Sequence, residues 1–231
     1  ACQRAAGNIQ QQPAQNADTA GNDCTDLRYV SHSIFRGKKK LPGMPALFAS
    51  EDECETLEIL ARDSVTGLEA VLSYTVFGGC GAMTKSVRLI NSSDKTLDVE
   101  RVYSSSVTLS SSDFDMLHLY GKHCQERHLE RTPLTHGHTS VSSSRGSSSH
   151  FHNPFAAFAK HGAGEENGEV YGVNLVYSGN FDITADVDYY GTTRINAGIN
   201  PDGFTWRLEP GEDFFTPEAV LVYTDVGLGE M

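Results

Sequence analysis

From Leu27 onward the period of the apolar residues is two, that of a strand whose successive side chains lie on opposite faces. The clearest run is 68–76. Leu68, Ala70, Leu72, Tyr74 and Val76 share one face and Glu69, Ser73 and Thr75 the other, with Val71 the exception. Gly78-Gly79 breaks the run. Residues 84–90 follow, then the polar turn Asn91-Ser92-Ser93-Asp94, then 95–102, a pattern that predicts a hairpin. Further strands are predicted over 170–177, 183–189, 192–199 and 214–223, with Tyr189-Tyr190-Gly191 and Asn200-Pro201-Asp202-Gly203 as turns. Only Phe155-Ala156-Ala157-Phe158-Ala159-Lys160 suggests a helix, with Asn153 as its cap and Pro154 at its first position. Short strands separated by turn signals predict an all-β sandwich.

Two segments depart from this pattern. Residues 1–25 have low hydrophobicity and no period, as in Gln10-Gln11-Gln12-Pro13. They are expected to be a linker or disordered tail, because such a stretch buries too little apolar surface to offset its ordering entropy. Residues 139–149 are Ser-rich and by themselves predict a flexible loop, although they sit between structured segments.

Charge narrows the function. Thirty acidic against 18 basic residues give a net charge of −12 over 231 residues. That balance argues against nucleic acid, whose phosphates need clustered Lys and Arg. The one basic run, Arg36-Gly37-Lys38-Lys39-Lys40, is short and flanked by turn residues. No stretch approaches the ~18 apolar residues of a membrane helix, and nothing at the start resembles a secretion signal. The compartment is not legible. Cys2, Cys24, Cys54, Cys80 and Cys124 are odd in number and form no C-x-x-C pair, so idle or buried thiols are expected rather than a disulfide framework or zinc ribbon.

Candidate chemistry is sparse. Eight of nine histidines lie between His118 and His161. The pairs His136/His138 and His150/His152 would share a face on a strand and so chelate a metal, yet neither has an acidic third ligand at motif spacing. Gly-x-Ser-x-Gly is absent. Phe77-Gly78-Gly79-Cys80-Gly81 lies between two strands, without the lysine or the helix of a phosphate loop. Carboxylate runs such as Glu51-Asp52-Glu53 and Glu165-Glu166 sit in polar loops. Trp206, Tyr189, Tyr190 and Phe204 are available to stack on a sugar, with core packing as the alternative. Composition and period thus predict a soluble acidic β-sandwich and no reaction.

An ordered set of motifs adds to this. It runs Asp26-Leu27-Arg28-Tyr29, then His32-Ser33-Ile34-Phe35-Arg36-Gly37-Lys38, Leu41-Pro42-Gly43-Met44-Pro45-Ala46 and Glu55-Thr56-Leu57-Glu58-Ile59. It continues through His152-Asn153-Pro154-Phe155, Gly168-Glu169-Val170-Tyr171-Gly172 and Tyr177-Ser178-Gly179-Asn180-Phe181, and closes on Phe204-Thr205-Trp206, Leu208-Glu209-Pro210-Gly211-Glu212 and Thr216-Pro217-Glu218. Over residues 26–229 the set resembles the N-terminal domain of glycoside hydrolase family 36, the large microbial and fungal α-galactosidases.

The resemblance implies a large twisted antiparallel sandwich, a supersandwich, over 26–231. In the family a (β/α)8 barrel follows and carries two catalytic aspartates in a retaining mechanism. It implies that the barrel and the first strands of the sandwich lie outside this sequence, so no catalytic residue transfers. It implies no metal or organic cofactor, α-galactosides as ligands of the barrel, and a homo-oligomer in the full enzyme. One departure falls at Gly121-Lys122-His123-Cys124-Gln125-Glu126, where the family usually places a tryptophan. Gly43, Gly172, Gly179 and Gly211 are expected in turns, and Pro154 and Pro217 at rigid corners. The loop carrying His150, His152 and Asn153 is expected either to dock on the barrel or another subunit, or to be merely local. The alternative function is a stand-alone carbohydrate-binding or degenerate interaction module without turnover.

Overall fold

The computed structural model describes residues 15–17 and 25–231. The strands in chain order are β1 Gln15–Ala17, β2 Arg28–Arg36, β3 Cys54–Arg62, β4 Leu68–Phe77, β5 Ala82–Asn91, β6 Leu97–Arg101, β7 Tyr103–Leu109, β8 Phe114–Lys122 and β9 Gln125–Pro133. They continue as β10 Gly137–Ser142, β11 His152–Lys160, β12 Val170–Val176, β13 Phe181–Val187, β14 Thr193–Ile199, β15 Trp206–Leu208, β16 Asp213–Phe215 and β17 Glu218–Thr224. One large sheet has the order β2-β3-β4-β5-β17-β12-β11-β8-β9, with β16 also on β5. Two smaller sheets, β10-β13-β14-β7 and β1-β6-β15, complete the fold. Every strand pair is antiparallel. The all-β sandwich is therefore what the chain forms.

The small sheets lie against one face of the large one. Phe158, Met116, Val173 and Leu175 of the large sheet meet Phe181, Ile183, Ala185 and Ile195 of the four-stranded sheet. Leu68, Leu72 and Leu89 meet Leu97, Val99 and Leu208 of the three-stranded sheet. The alternation expected over 68–76 is realised: Leu68, Ala70 and Leu72 are buried and Tyr74 packs beside them.

Several local expectations are corrected. Residues 155–160 are not a helix but the centre of β11, paired on both sides by β8 and β12. Ala156 and Phe158 enter the main core, while Ala157 and Ala159 enter a cluster on the opposite face. A run buried on both faces has no period that separates strand from helix. Pro154 is therefore no corner. It lies in β11 where the register with β8 slips, between His152 and Ala156, and a proline is tolerated at such a slip.

Residues 84–90 and 95–102 do not form a hairpin with each other. β5 stays in the large sheet, and β6 crosses to the three-stranded one. Asn91, fully buried, makes that corner. Its amide donates to the carbonyls of Lys95 (2.7 Å) and Leu208 (2.8 Å), and its oxygen accepts from the Ser93 N–H (3.0 Å).

The predicted strand 214–223 is two strands, β16 and β17, separated at Thr216-Pro217, and both pair with β5. Thr216 bridges the break: its N–H donates to the Val87 carbonyl and its hydroxyl accepts from the Val87 N–H, each at 2.9 Å. Pro217 is thus a corner, as expected.

Gly43 (φ +70°) and Gly211 (φ +82°) occupy left-handed turn positions that suit glycine. Gly172 does not; it lies inside β12, where a Cβ would come within 2.7 Å of the Met231 sulfur. Gly179 also lacks a positive φ, and a Cβ there would meet the Tyr177 ring at 2.5 Å. The stretch 103–142 holds four strands that the polar sequence did not announce. Most of the tail expected over 1–25 lies outside the described residues, but Gln15–Ala17 form β1 and pair with β6.

The Ser-rich stretch is tied down. Residues 139–142 belong to β10. Beyond them the Ser143 hydroxyl donates to the Ser147 carbonyl (2.6 Å), the Gly146 N–H to Asn180 Oδ1 (2.6 Å) and the Ser148 N–H to the Ser178 carbonyl (2.9 Å).

Candidate functional site

The outward face of the four-stranded sheet is a concave polar groove of about 610 Å³. Its walls follow from the period of two. Ile183 and Ala185 point to the core, so Asp182, Thr184 and Asp186 point out. The register sets them in rungs: His138 opposite Asp186 opposite Arg194, and Ser140 opposite Thr184 opposite Asn196. Tyr103 and Arg101 close one side, and the turn Asn200-Pro201-Asp202 closes one end.

The polar groups are held in place. Tyr103 donates its hydroxyl to Asp182 Oδ2 (2.9 Å). Burial first, then the charge of Asp182, pushes the phenol above its ordinary range, so it remains a donor at neutral pH. Burial also raises the Asp182 carboxyl, with the Tyr103 bond acting the other way. His138 Nδ1 lies 2.8 Å from Asp186 Oδ1. Asn196 donates to Thr184 Oγ1 (3.3 Å), while its buried oxygen has no partner. Asn200 donates to the Ser143 carbonyl (3.0 Å), which joins the groove to the Ser-rich loop.

At one end of the groove Asp188 fixes the β13–β14 turn. It accepts from the N–H groups of Tyr190 and Thr192 (both 2.9 Å) and from the Thr192 hydroxyl (2.5 Å). Tyr189 and Tyr190 project from that turn, 90% and 87% exposed. Asp186, the one carboxylate in these two rungs, is engaged by His138, and Asp182 beside them by Tyr103. The arrangement is suited to binding rather than to reaction.

The other singled-out residues are scattered. His136 precedes β10 and His150 precedes β11, so neither histidine pair shares a strand face. Among the described residues no group of three or more His, Cys, Asp or Glu is disposed to hold a metal. His150 stacks on Phe151 (4.8 Å), and the Arg145 guanidinium lies 4.0 Å from the same ring. His152 is half-buried beside His118 (6.2 Å), and burial first, then His118, lowers its pKa. Asn153 is likewise half-buried in β11. Trp206 packs on Phe214 (5.2 Å), as does Phe204 (5.9 Å). Cys54 is buried and free, and Cys80 and Cys124 are exposed and free. The departure at 121–126 falls at the exposed β8–β9 turn.

The sequence missed the groove because its walls come from strands far apart in the chain. The signal it did contain is the spacing of two in His138, Ser140, Ser142 and in Asp182, Thr184, Asp186.

Comparison with known proteins decides the family. The sequence model described as "Glycosyl hydrolase family 36 N-terminal domain" matches residues 3–209. The chain belongs to this family. Within glycosyl hydrolase family 36 it is 47% identical over 212 residues to alpha-galactosidase AgaA of Geobacillus stearothermophilus, covering 91% of this chain and 29% of that protein. It is 39% identical over 211 residues to the bifunctional alpha-galactosidase/sucrose kinase AgaSK of Mediterraneibacter gnavus, covering 91% of this chain and 23% of that one. The crystal structure of the Geobacillus AgaA superposes with a TM-score of 0.93 at 46% identity, over 94% of this chain and 30% of that one. That of the Lactobacillus brevis alpha-galactosidase gives 0.91 at 40% identity, over 93% and 29%. The chain thus spans less than a third of the length of these relatives, and the part it matches is their N-terminal domain. No helix among the described residues is long and apolar enough to cross a membrane.

Proposed function

We propose that this chain is the non-catalytic sandwich of an α-galactosidase that releases terminal α-linked galactose from raffinose-type oligosaccharides with retention. A (β/α)8 barrel outside these 231 residues carries the two aspartates, one as nucleophile and one as acid/base. The observation that carries the reading is the match to AgaA, 47% identical over 91% of the chain. Solved complexes of two AgaA variants hold stachyose and raffinose respectively, which supports the substrate class. The sandwich borders the barrel and supports a homo-oligomer, and the segment with His150 in the loop and His152 and Asn153 at the start of β11 docks on the barrel or on another subunit. The Arg145–Phe151–His150 stack gives that loop a fixed, exposed surface, which supports docking over a merely local role.

A chimera tests this: the present chain replaces the matching 212 residues of AgaA. It is expected to hydrolyse raffinose with kcat within about tenfold of AgaA, a change of about 1.4 kcal/mol in the barrier. In the same chimera, His150→Ala with His152→Ala is expected to reduce the particle size seen by light scattering. A folded chimera without hydrolysis contradicts the domain's role, and an unchanged particle size contradicts docking by the loop.

A further inference from the structure

We propose that the outward groove of the four-stranded sheet is a binding site for a neutral oligosaccharide. Every residue that lines it belongs to this chain, so its test does not depend on the α-galactosidase reading.

Three observations converge on it. The first is the chemistry of the walls. His138, Ser140, Thr184, Asp186 and Asn196 alternate donors and acceptors along two rungs, at positions fixed by strand register. Sugar hydroxyls both donate and accept, and so match such a surface. The lining is predominantly polar, a poor match for an apolar ligand. An anionic ligand meets Asp182, Asp186, Asp188 and Asp202, which outnumber Arg101 and Arg194 in the lining, on a chain of net charge −12.

The second is an unmet bond. Asn196 is only 6% exposed, lines the groove, and has a side-chain oxygen without a partner. A buried amide oxygen left unpaired is costly, and native structures rarely leave one so without a reason. A ligand hydroxyl supplies the missing donor once the amide, whose oxygen is closed to solvent here, turns toward the groove.

The third is the rim. Tyr189 and Tyr190 form an edge-to-face pair (5.7 Å) on a turn whose conformation Asp188 fixes. Asp188 and Thr192 line the groove's end and the two rings stand beside that lining, exposed on a rigid support that presents flat apolar faces at low conformational cost. The C–H face of a sugar ring needs that complement while its hydroxyls take the rungs. The volume, about 610 Å³, lies within the range of small-molecule sites and has room for several sugar rings.

The test is calorimetric titration of the full chain with raffinose, stachyose, maltotetraose and cellotetraose, with amide hydrogen exchange read on the same samples. Saturable binding of at least one sugar is expected, with protection confined to 138–142, 182–188 and 194–196. Tyr189→Ala with Tyr190→Ala is expected to weaken it by about tenfold, the effect of losing an aromatic anchor. Asn196→Leu is expected to abolish it, and Trp206→Ala, on another sheet, to leave it unchanged. Circular dichroism identifies any variant that has lost its strands; the tyrosine variant, altered only at exposed positions, still decides if Asn196→Leu unfolds. No binding of any of the four sugars overturns the proposal. So does binding indifferent to the tyrosine variant, or binding lost in the AgaA chimera, which assigns the groove to an interdomain contact. Hydrolysis by the chimera is read separately, so failure of sugar binding and failure of the enzymatic reading are distinguishable.

Discussion

Replacing Glu218 by alanine is expected to destabilise the fold by about 3–5 kcal/mol, the usual cost of leaving a buried charge without its partner. Glu218 begins β17 and its side chain is 1% exposed. One carboxylate oxygen pairs with the Lys38 ammonium, itself 9% exposed, and the other accepts from the Leu47 N–H (2.7 Å). Lys38 also donates to the Leu47 carbonyl (2.9 Å). These bonds clamp the 37–50 loop, which carries the Leu41-Pro42-Gly43-Met44-Pro45-Ala46 motif, over the polar face of β3, β4 and β5. On that face Thr56 donates to the Gly37 carbonyl (2.6 Å) and lies 2.9 Å from the Thr75 hydroxyl. Urea unfolding measures the loss, and faster tryptic cleavage at Lys38-Lys39-Lys40 reports release of the loop. Lys38→Met with Glu218→Met is expected to recover most of the loss, since a buried pair replaced by apolar groups of similar volume is often neutral. A single Glu218→Ala loss below about 1 kcal/mol, the range of an exposed pair, would show that the loop is held by something else.

Lys85→Met is expected to stabilise the chain at pH 7, by about 3 kcal/mol, and to change little above pH 10.5. Lys85 lies between the sheets, opposite Tyr74 on β4, and donates to the Ser106 carbonyl (2.9 Å). The Tyr74 ring lies 5.0 Å from the ammonium, and no acidic partner accompanies it among its described bonds. Burial lowers its pKa from 10.5 to about 8. Between about pH 8 and 10.5 the unfolded chain binds more protons than the folded one, so stability rises with pH across that window. Below it the cost of charging the buried amine is present in full; at 1.36 kcal/mol per pKa unit this gives the stated magnitude. Methionine fills similar space without the charge. Thermal melts at pH 7 and at pH 10.5 measure the difference. A variant no more stable than the parent at pH 7 would contradict this account of Lys85.

The two rows of polar residues in the groove show where sequence reasoning stops. Leu68, Ala70 and Leu72 announce their strand because one face is core and the other is not. His138, Ser140 and Ser142 have the same period, but lie in a polar stretch where Val141 alone marks the inner face. β11 fails in the opposite sense, since both its faces are apolar. Asn91 reads as an ordinary loop residue, and only the position of Leu208, distant in sequence, makes its amide the corner between two sheets. Architecture, family and the turns at 189–191 and 200–203 were thus legible from local patterns and ordered motifs. The strands of 103–142, the change of sheet after β5 and the groove were not, because each depends on partners remote in the chain. His150, His152 and Asn153 were legible as a polar, His-rich segment. Which of them stacks and which enters a strand is set by Phe151, Arg145 and β8.

The most direct test of the central claim, that this sandwich serves a larger α-galactosidase, is to read the transcript beyond the codon for Met231. The account predicts an open frame that continues into a (β/α)8 barrel with two aspartates placed for retaining hydrolysis. A stop codon directly after Met231 would contradict it and leave sugar binding by the lone sandwich as the function to pursue.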